Sequence, residues 1–244
     1  MKKITFFFMF SITFLAAREY TVIDNLIDES KYNEALSKAL KLQEKNADDS
    51  DIYWQVGRCY FELLDQSDDD SIKKEYATKG IEFVKKSIRM NKISSQAHHW
   101  YAVLLGQIGV LEGTKQMIEK SYDVRKHALI AIKLDPNYDG TLHVMGRWHY
   151  KLAGLSKAER LIASIIYSKP PQATFKESAD FFQKAINAKP DEIRHWLWHG
   201  KALIEIGDIE EARKSLSAAV ELIAYDNSGE LLKKEAKDLL EDLK

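Results

Sequence analysis

The sequence predicts an all-α solenoid of about five stacked helix pairs, with insertions in the middle pairs and a C-terminal capping helix. Three observations predict it. Gly and Pro are scarce, 11 and 4 in 244 residues, which favours helix over turn-rich folds. No strand-type alternation runs for a useful length. One spacing of large and small residues recurs along the chain, and it is clearest in Ile193–Leu222. There Trp196, His199-Gly200 and Leu203 share one helical stripe, Ile206-Gly207-Asp208 interrupts it, and Ala212, Leu216 and Ala219 form a second. The small residues Gly200 and Ala212 let two antiparallel helices approach closely.

This is the pattern of a tetratricopeptide (TPR) hairpin, whose period is about 34 residues. Taken in order, Arg18–Asn46 carries Val22, Leu26 and Ile27 on one face, a break at Asp28-Glu29-Ser30, then Ala35, Ala39 and Leu42. Ser50 opens the second pair with Tyr53, Val56-Gly57 and Tyr60, answered by Gly80 to Ile88. Between them, Asp65–Glu75 reads as an inserted solvated loop whose aspartates cap the next helix. The third pair, Ser95–Asp135, has Ala102 at the small position and closes with Ala128, Ala131 and Leu134. Its insertion, Leu111 to Tyr122, reads as extra helix. In the fourth pair, Asn137–Lys189, Leu142, Met145-Gly146 and His149 answer Phe182, Ala185 and Ile186. Its surplus is Lys151 to Thr174, with an apolar Leu161–Tyr167 and a helix-ending Pro170-Pro171. Glu230–Lys244 is the charged, amphipathic cap.

Met1–Ala17 stands apart. Lys2-Lys3 precedes an uncharged apolar run that suits a signal-peptide core and is shorter than the roughly 20 residues of a spanning helix. It predicts export or an N-terminal membrane anchor, with residues 18–244 as the repeat domain.

Composition narrows the function. Hydrophobic content of 45% with 30% charge describes a globular chain, and a net charge of −1 argues against nucleic-acid binding. The single cysteine, Cys59, sits among apolar helix positions and predicts a buried, inert thiol. Asp68-Asp69-Asp70 lacks the spacing of a calcium loop. No metalloprotease, phosphate-loop, dinucleotide or nucleophile-elbow motif is present, so no enzyme, cofactor or metal is expected. His195 and His199, four apart, face one side of a helix but have no evident third ligand. The five tryptophans recur at first-helix positions, and most are expected in the core.

From Ser95 to Glu177 the likeness is more specific than a repeat. Trp100, Ala102-Val103-Leu104, Gly106-Gln107, Glu112-Gly113, Gly146-Arg147-Trp148, Leu155-Ser156 and Pro170-Pro171 with Ala173-Thr174 together resemble the regulator of microtubule dynamics family. The resemblance extends from about Ser50 to Val220. It implies a non-enzymatic helical-repeat binding protein. In animals the family is associated with microtubules and spindle function, and one branch tethers organelle membranes and handles phospholipid. An export signal would instead separate the chain from cytosolic tubulin, leaving a cytoplasmic, microtubule-associated protein as the alternative localisation.

By analogy with TPR proteins, first-helix positions line a concave groove. Here they are Trp54, Arg58 and Phe61; His99, Val103 and Gln107; His143, Arg147 and Lys151; and Arg194, Leu197 and Lys201. Arg58, Arg147, Lys151, Arg194 and Lys201 make this set basic in a nearly neutral chain, which suits carboxylates or phosphates. An acidic protein segment is the expected partner: a tubulin tail in a eukaryotic cytosol, or a segment of an envelope protein if the chain is an exported bacterial one. Phospholipid is the alternative, with Leu161–Tyr167 lining a cavity.

Overall fold

A computed structural model describes residues 20–166 and 172–243. The expectations for Met1–Ala17 and for Pro170-Pro171 lie outside the described residues. Those residues are helix and turn throughout, as predicted, and they form two compact units that divide after Trp100.

The first unit contains α1 (20–28), α2 (Tyr32–Lys45), α3 (Ser50–Asp65), α4 (Asp70–Met90) and the first turns of α5 (Ser95–Glu112). Its core joins Ile23 and Ile27 of α1, Ala35, Ala39 and Leu42 of α2, and Ile52, Tyr53, Val56 and Tyr60 of α3. Ile27, the three α2 residues, Tyr53, Val56 and Tyr60 belong to the predicted stripes, but the α1 stripe is turned from the expected one: Val22 is exposed, Leu26 is only partly buried, and Ile23 takes the buried position. The expected Asp65–Glu75 loop is mostly helix. Only residues 66–69 connect α3 to α4, and the remainder adds N-terminal turns to α4. Asp69 caps that helix by accepting hydrogen bonds from the Ser71 and Ile72 amides at 2.7 and 3.2 Å. Cys59 is buried, and burial pushes its thiol up to about 12, so it is inert at neutral pH.

The second unit continues with α6 (Thr114–Leu134), α7 (Asp139–Ala153), α8 (Lys157–Ile166), α9 (Phe175–Ala188), α10 (Ile193–Ile206), α11 (Ile209–Glu221) and α12 (Asn227–Asp242). The Leu111–Tyr122 insertion is not a separate helix. It consists of the end of α5 and a long start of α6, split at Gly113, whose φ of 97° suits glycine. The surplus of the fourth pair does contain an added helix, α8. A reciprocal capping box starts it: the Ser156 amide donates to Glu159, and the Glu159 amide donates to Ser156 Oγ. A second T-x-x-E box, Thr174 with Glu177, starts α9.

Packing in this unit runs α7 on α9, α9 on α10, α10 on α11, and α12 on both α10 and α11. The turn between α10 and α11 is fixed by Gly207, whose φ of 81° ends α10 in the left-handed region. Close approach depends on two glycines. A Cβ on Gly200 would meet Leu216 Cγ at 2.7 Å, and one on Gly146 would meet the Phe182 ring at 2.6 Å. Of the five tryptophans only Trp100 and Trp148 are buried; Trp54, Trp196 and Trp198 are partly exposed, contrary to expectation.

Phe182 is fully buried, so its ring has little open space to move into. Gly146→Ala should therefore destabilise the protein by up to about 2 kcal/mol, an overpacking cost of about 1–3 kcal/mol offset by about 1 kcal/mol of helix propensity. The check is a lower urea midpoint with unchanged slope.

Candidate functional site

The predicted groove positions have different fates. In the first unit, Trp54 is partly exposed and donates its Nε1–H to Asp51 at 3.1 Å. Arg58 meets Asp24 at 2.5 Å and Glu62 at 3.7 Å, so its charge is answered within the unit. His99 is buried with its ring edge-on to Trp100. In the second unit, Leu197 is fully buried, and Arg194 donates twice to the Glu192 carboxylate, at 2.9 and 3.1 Å.

Three cations are brought together. Arg147 and Lys151 are one helical turn apart on α7, and Lys201 extends from α10. The Arg147 guanidinium lies 3.7 Å from the centre of the Trp198 indole, and the Lys201 ammonium lies 4.1 Å from it. Two cations thus share one aromatic ring, which attracts each through its quadrupole. Tyr150 meets Trp198 edge-to-face at 5.2 Å, while Phe175 meets Tyr150 in the same manner, so the platform is braced. The Tyr150 hydroxyl donates to Glu205 at 3.2 Å; burial, then the charge of Glu205 and this hydrogen bond, push its pKa up to about 12. Lys151 is exposed at its tip. Desolvation, followed by the positive charges of Arg147 and Lys201, holds its pKa below the usual lysine value. The neighbouring cations thus disfavour the proton on Lys151, and an anion placed there would relieve that repulsion.

His143 is part of a second arrangement. The Asp139 carboxylate lies 2.9 Å from His195 Nε2, and His195 Nδ1 lies 3.0 Å from His143 Nδ1. With Nε2–H donating to the carboxylate, one proton bridges the two Nδ1 atoms, carried by His143 when His195 is neutral and by His195 when it is charged. This relay ties the first turn of α7 to the first turn of α10. Burial alone would raise the Asp139 pKa, but the hydrogen bond and charge of His195, with Lys189, outweigh it and lower it. His199 has a different partner, Ser215 Oγ at 2.9 Å, so His195 and His199 do not converge. Among the described residues no group of three His, Cys, Asp or Glu side chains is placed to hold a metal. His149 is buried against Phe181, and its Nδ1 is 3.3 Å from Glu177 but not aligned for a hydrogen bond. Burial lowers its pKa.

Sequence reasoning missed Trp198, Tyr150 and Asp139. Trp198 had a usable signal, since it is three residues before Lys201 and therefore on the same helical face. Asp139 had none, because its partner His195 lies on a distant helix.

Paired antiparallel helices, glycine-mediated close approach and a capping helix define a TPR-like helical-repeat scaffold. Solved structures agree on the fold. A thermophilic TPR protein from Thermus thermophilus superposes with a TM-score of 0.67 at 12% identity, covering 91% of this chain and 98% of that one. MamA superposes with a TM-score of 0.50 at 16% identity, over 84% and 90%. The family signature described as regulator of microtubule dynamics protein 1-3 matches residues 20–244, and the chain belongs to that family. It is 26% identical to regulator of microtubule dynamics protein 1 of Bos taurus, over 92% of this chain and 73% of that protein. With protein 3 of Rattus norvegicus it shares 30% identity, over 88% of this chain but 46% of that protein. Among the described residues no helix is long and apolar enough to cross a membrane.

Glu192 yields a prediction for the acid limb of stability. Burial would raise its pKa, but the hydrogen bonds and charge of Arg194, with His195 and Lys189, hold it down to about 2. A depressed carboxylate stabilises the fold above its unfolded pKa of about 4.5 and loses that contribution as pH falls towards 2. The melting temperature should therefore drop between about pH 5 and pH 2. In Glu192→Gln, stability should be lower near neutrality and the slope over that interval shallower, as read by thermal melts across pH.

Proposed function

We propose that the chain is a non-enzymatic interaction scaffold that takes an acidic segment of a protein partner on Arg147, Lys151 and Lys201. The observation that carries this reading is the gathering of Arg147, Lys151 and Lys201, with Arg147 and Lys201 stacked on one braced tryptophan. Arginine and lysine held this way offer charge-assisted hydrogen bonds at little further ordering cost. The names of the relatives favour tubulin or a microtubule as the partner wherever the chain meets them. Acidic peptide tails match the chemistry of the cluster. Trp54, Arg58, His99, His143 and Arg194, expected to line the same groove, are not needed for this reading, which rests on the three-cation cluster.

A lipid reading has one specific observation behind it. On α8, Leu161 and Ile165 are one turn apart and 64% and 79% exposed, which suits contact with acyl chains. Lipid copurifying with the protein in native mass spectrometry would favour it. The apolar Met1–Ala17 run supports an exported or anchored protein; a mature N-terminus near Arg18 would place it away from cytosolic tubulin.

The test of the main reading is binding at low and raised salt. Arg147→Glu combined with Lys201→Glu should weaken binding of tubulin, or of any acidic partner recovered, by about tenfold or more, since hydrogen bonds to charged groups contribute about 1.5–3 kcal/mol each. Wild-type binding should fall as salt rises. Unchanged binding in the double variant would remove the cluster from the interface.

A further inference from the structure

One acidic residue already sits in the basic cluster. Glu235 of α12 accepts from the Lys201 ammonium at 2.6 Å, and its charge also reaches Tyr150. Asp238, another α12 carboxylate, pairs with Lys234 on its own helix and not with the cluster. The position of α12 does not depend on Glu235. Ala236 is fully buried, and Leu232, Leu239, Leu240 and Leu243 pack with it against the core formed by Ile193, Leu197, Leu216 and Ala219. The apolar face thus docks the helix and delivers one carboxylate to Lys201.

The strength of that contact matters. The Glu235 side chain is 45% exposed, and half-exposed ion pairs contribute only about 0–1 kcal/mol. The carboxylate is close enough to satisfy Lys201 and weak enough to be exchanged. Lys151 has the cations Arg147 and Lys201 as its charged neighbours.

We propose that Glu235 is an internal stand-in for the partner's carboxylate. It occupies Lys201 in the free chain and is displaced when an acidic segment binds, so that it raises the threshold for binding and favours segments with several carboxylates over single acids. This inference rests on the acidic-partner reading of the cluster. Lys151 and Arg147 capture the first carboxylates, and displacement of Glu235 follows when a further one reaches Lys201.

The experiment is a fluorescence anisotropy titration of a labelled oligoglutamate peptide against the full chain at low salt. Glu235→Gln should tighten binding by about two- to fivefold, the range that an exposed ion pair of under about 1 kcal/mol allows. Glu230→Gln removes the same charge from the same helix away from the cluster, and should leave the affinity near wild type. Glu235→Asp, which keeps the charge but shortens the reach, should tighten binding partly. In a Lys201→Gln background, Glu235→Gln should have no further effect. Lys151→Gln should weaken binding. If Glu235→Gln matches wild type or Glu230→Gln while Lys151→Gln still weakens binding, the stand-in is refuted and the acidic-partner site survives. If Lys151→Gln has no effect, or no variant binds the peptide, the site reading fails and takes the stand-in with it. Thermal melts of each variant show whether α12 remains docked; a Glu235→Gln chain that melts like wild type yet binds no tighter also counts against the proposal.

Discussion

Each helix pair in this chain has an apolar face that it cannot cover by itself, and that constraint organises the second unit. α7 buries Met145 and Trp148, α10 buries Leu197 and Leu203, and neighbouring helices supply the apolar surfaces that cover them. Gly146 under Phe182 and Gly200 under Leu216 set how near those neighbours come. With α7 and α10 both packed on α9, side chains of α7 and α10 reach one another. Arg147 on α7 can therefore stack on Trp198 of α10, and Asp139 can bind His195. The site geometry is a consequence of packing distance.

The cluster combines two opposing tendencies. Stacking on indole and burial of aliphatic stems hold Arg147 and Lys201 in place, whereas mutual repulsion works against three cations at close quarters. Tyr150 and Phe175 keep Trp198 from turning away, and Glu205 and Glu235 moderate the charge from the rim. A surface lysine in open water would gain nothing from such neighbours. Here partial desolvation makes each charge count for more.

Helix pairing was legible in the sequence because burial imposes a period and small residues mark where helices touch. Ala35, Ala39 and Leu42, or Ala212, Leu216 and Ala219, announce themselves in this manner, and all are buried. Insertions were read less well. A polar stretch such as Asp70–Glu75 is as compatible with a helix projecting into solvent as with a loop, and pattern alone does not separate the two. Repeat equivalence was enough to nominate Arg147, Lys151 and Lys201 together. It was silent on which cations had acids beside them: Asp24 reaches Arg58 from a helix far back in the chain, and Glu192 reaches Arg194 around a helix start. Leu197 and Trp198 show the limit of the method, since one residue of rotation decides which side chain is core and which is platform.

Cys59 has a practical corollary. A thiol with its pKa near 12 inside the α1–α3 core does not ionise, metallate or cross-link under ordinary handling. The folded chain consequently presents no reactive sulfur, although its sequence contains one. Any cysteine introduced at the surface would be the sole attachment point for a spin label or fluorophore. The natural sequence therefore already provides the silent background that distance measurements between its helices require.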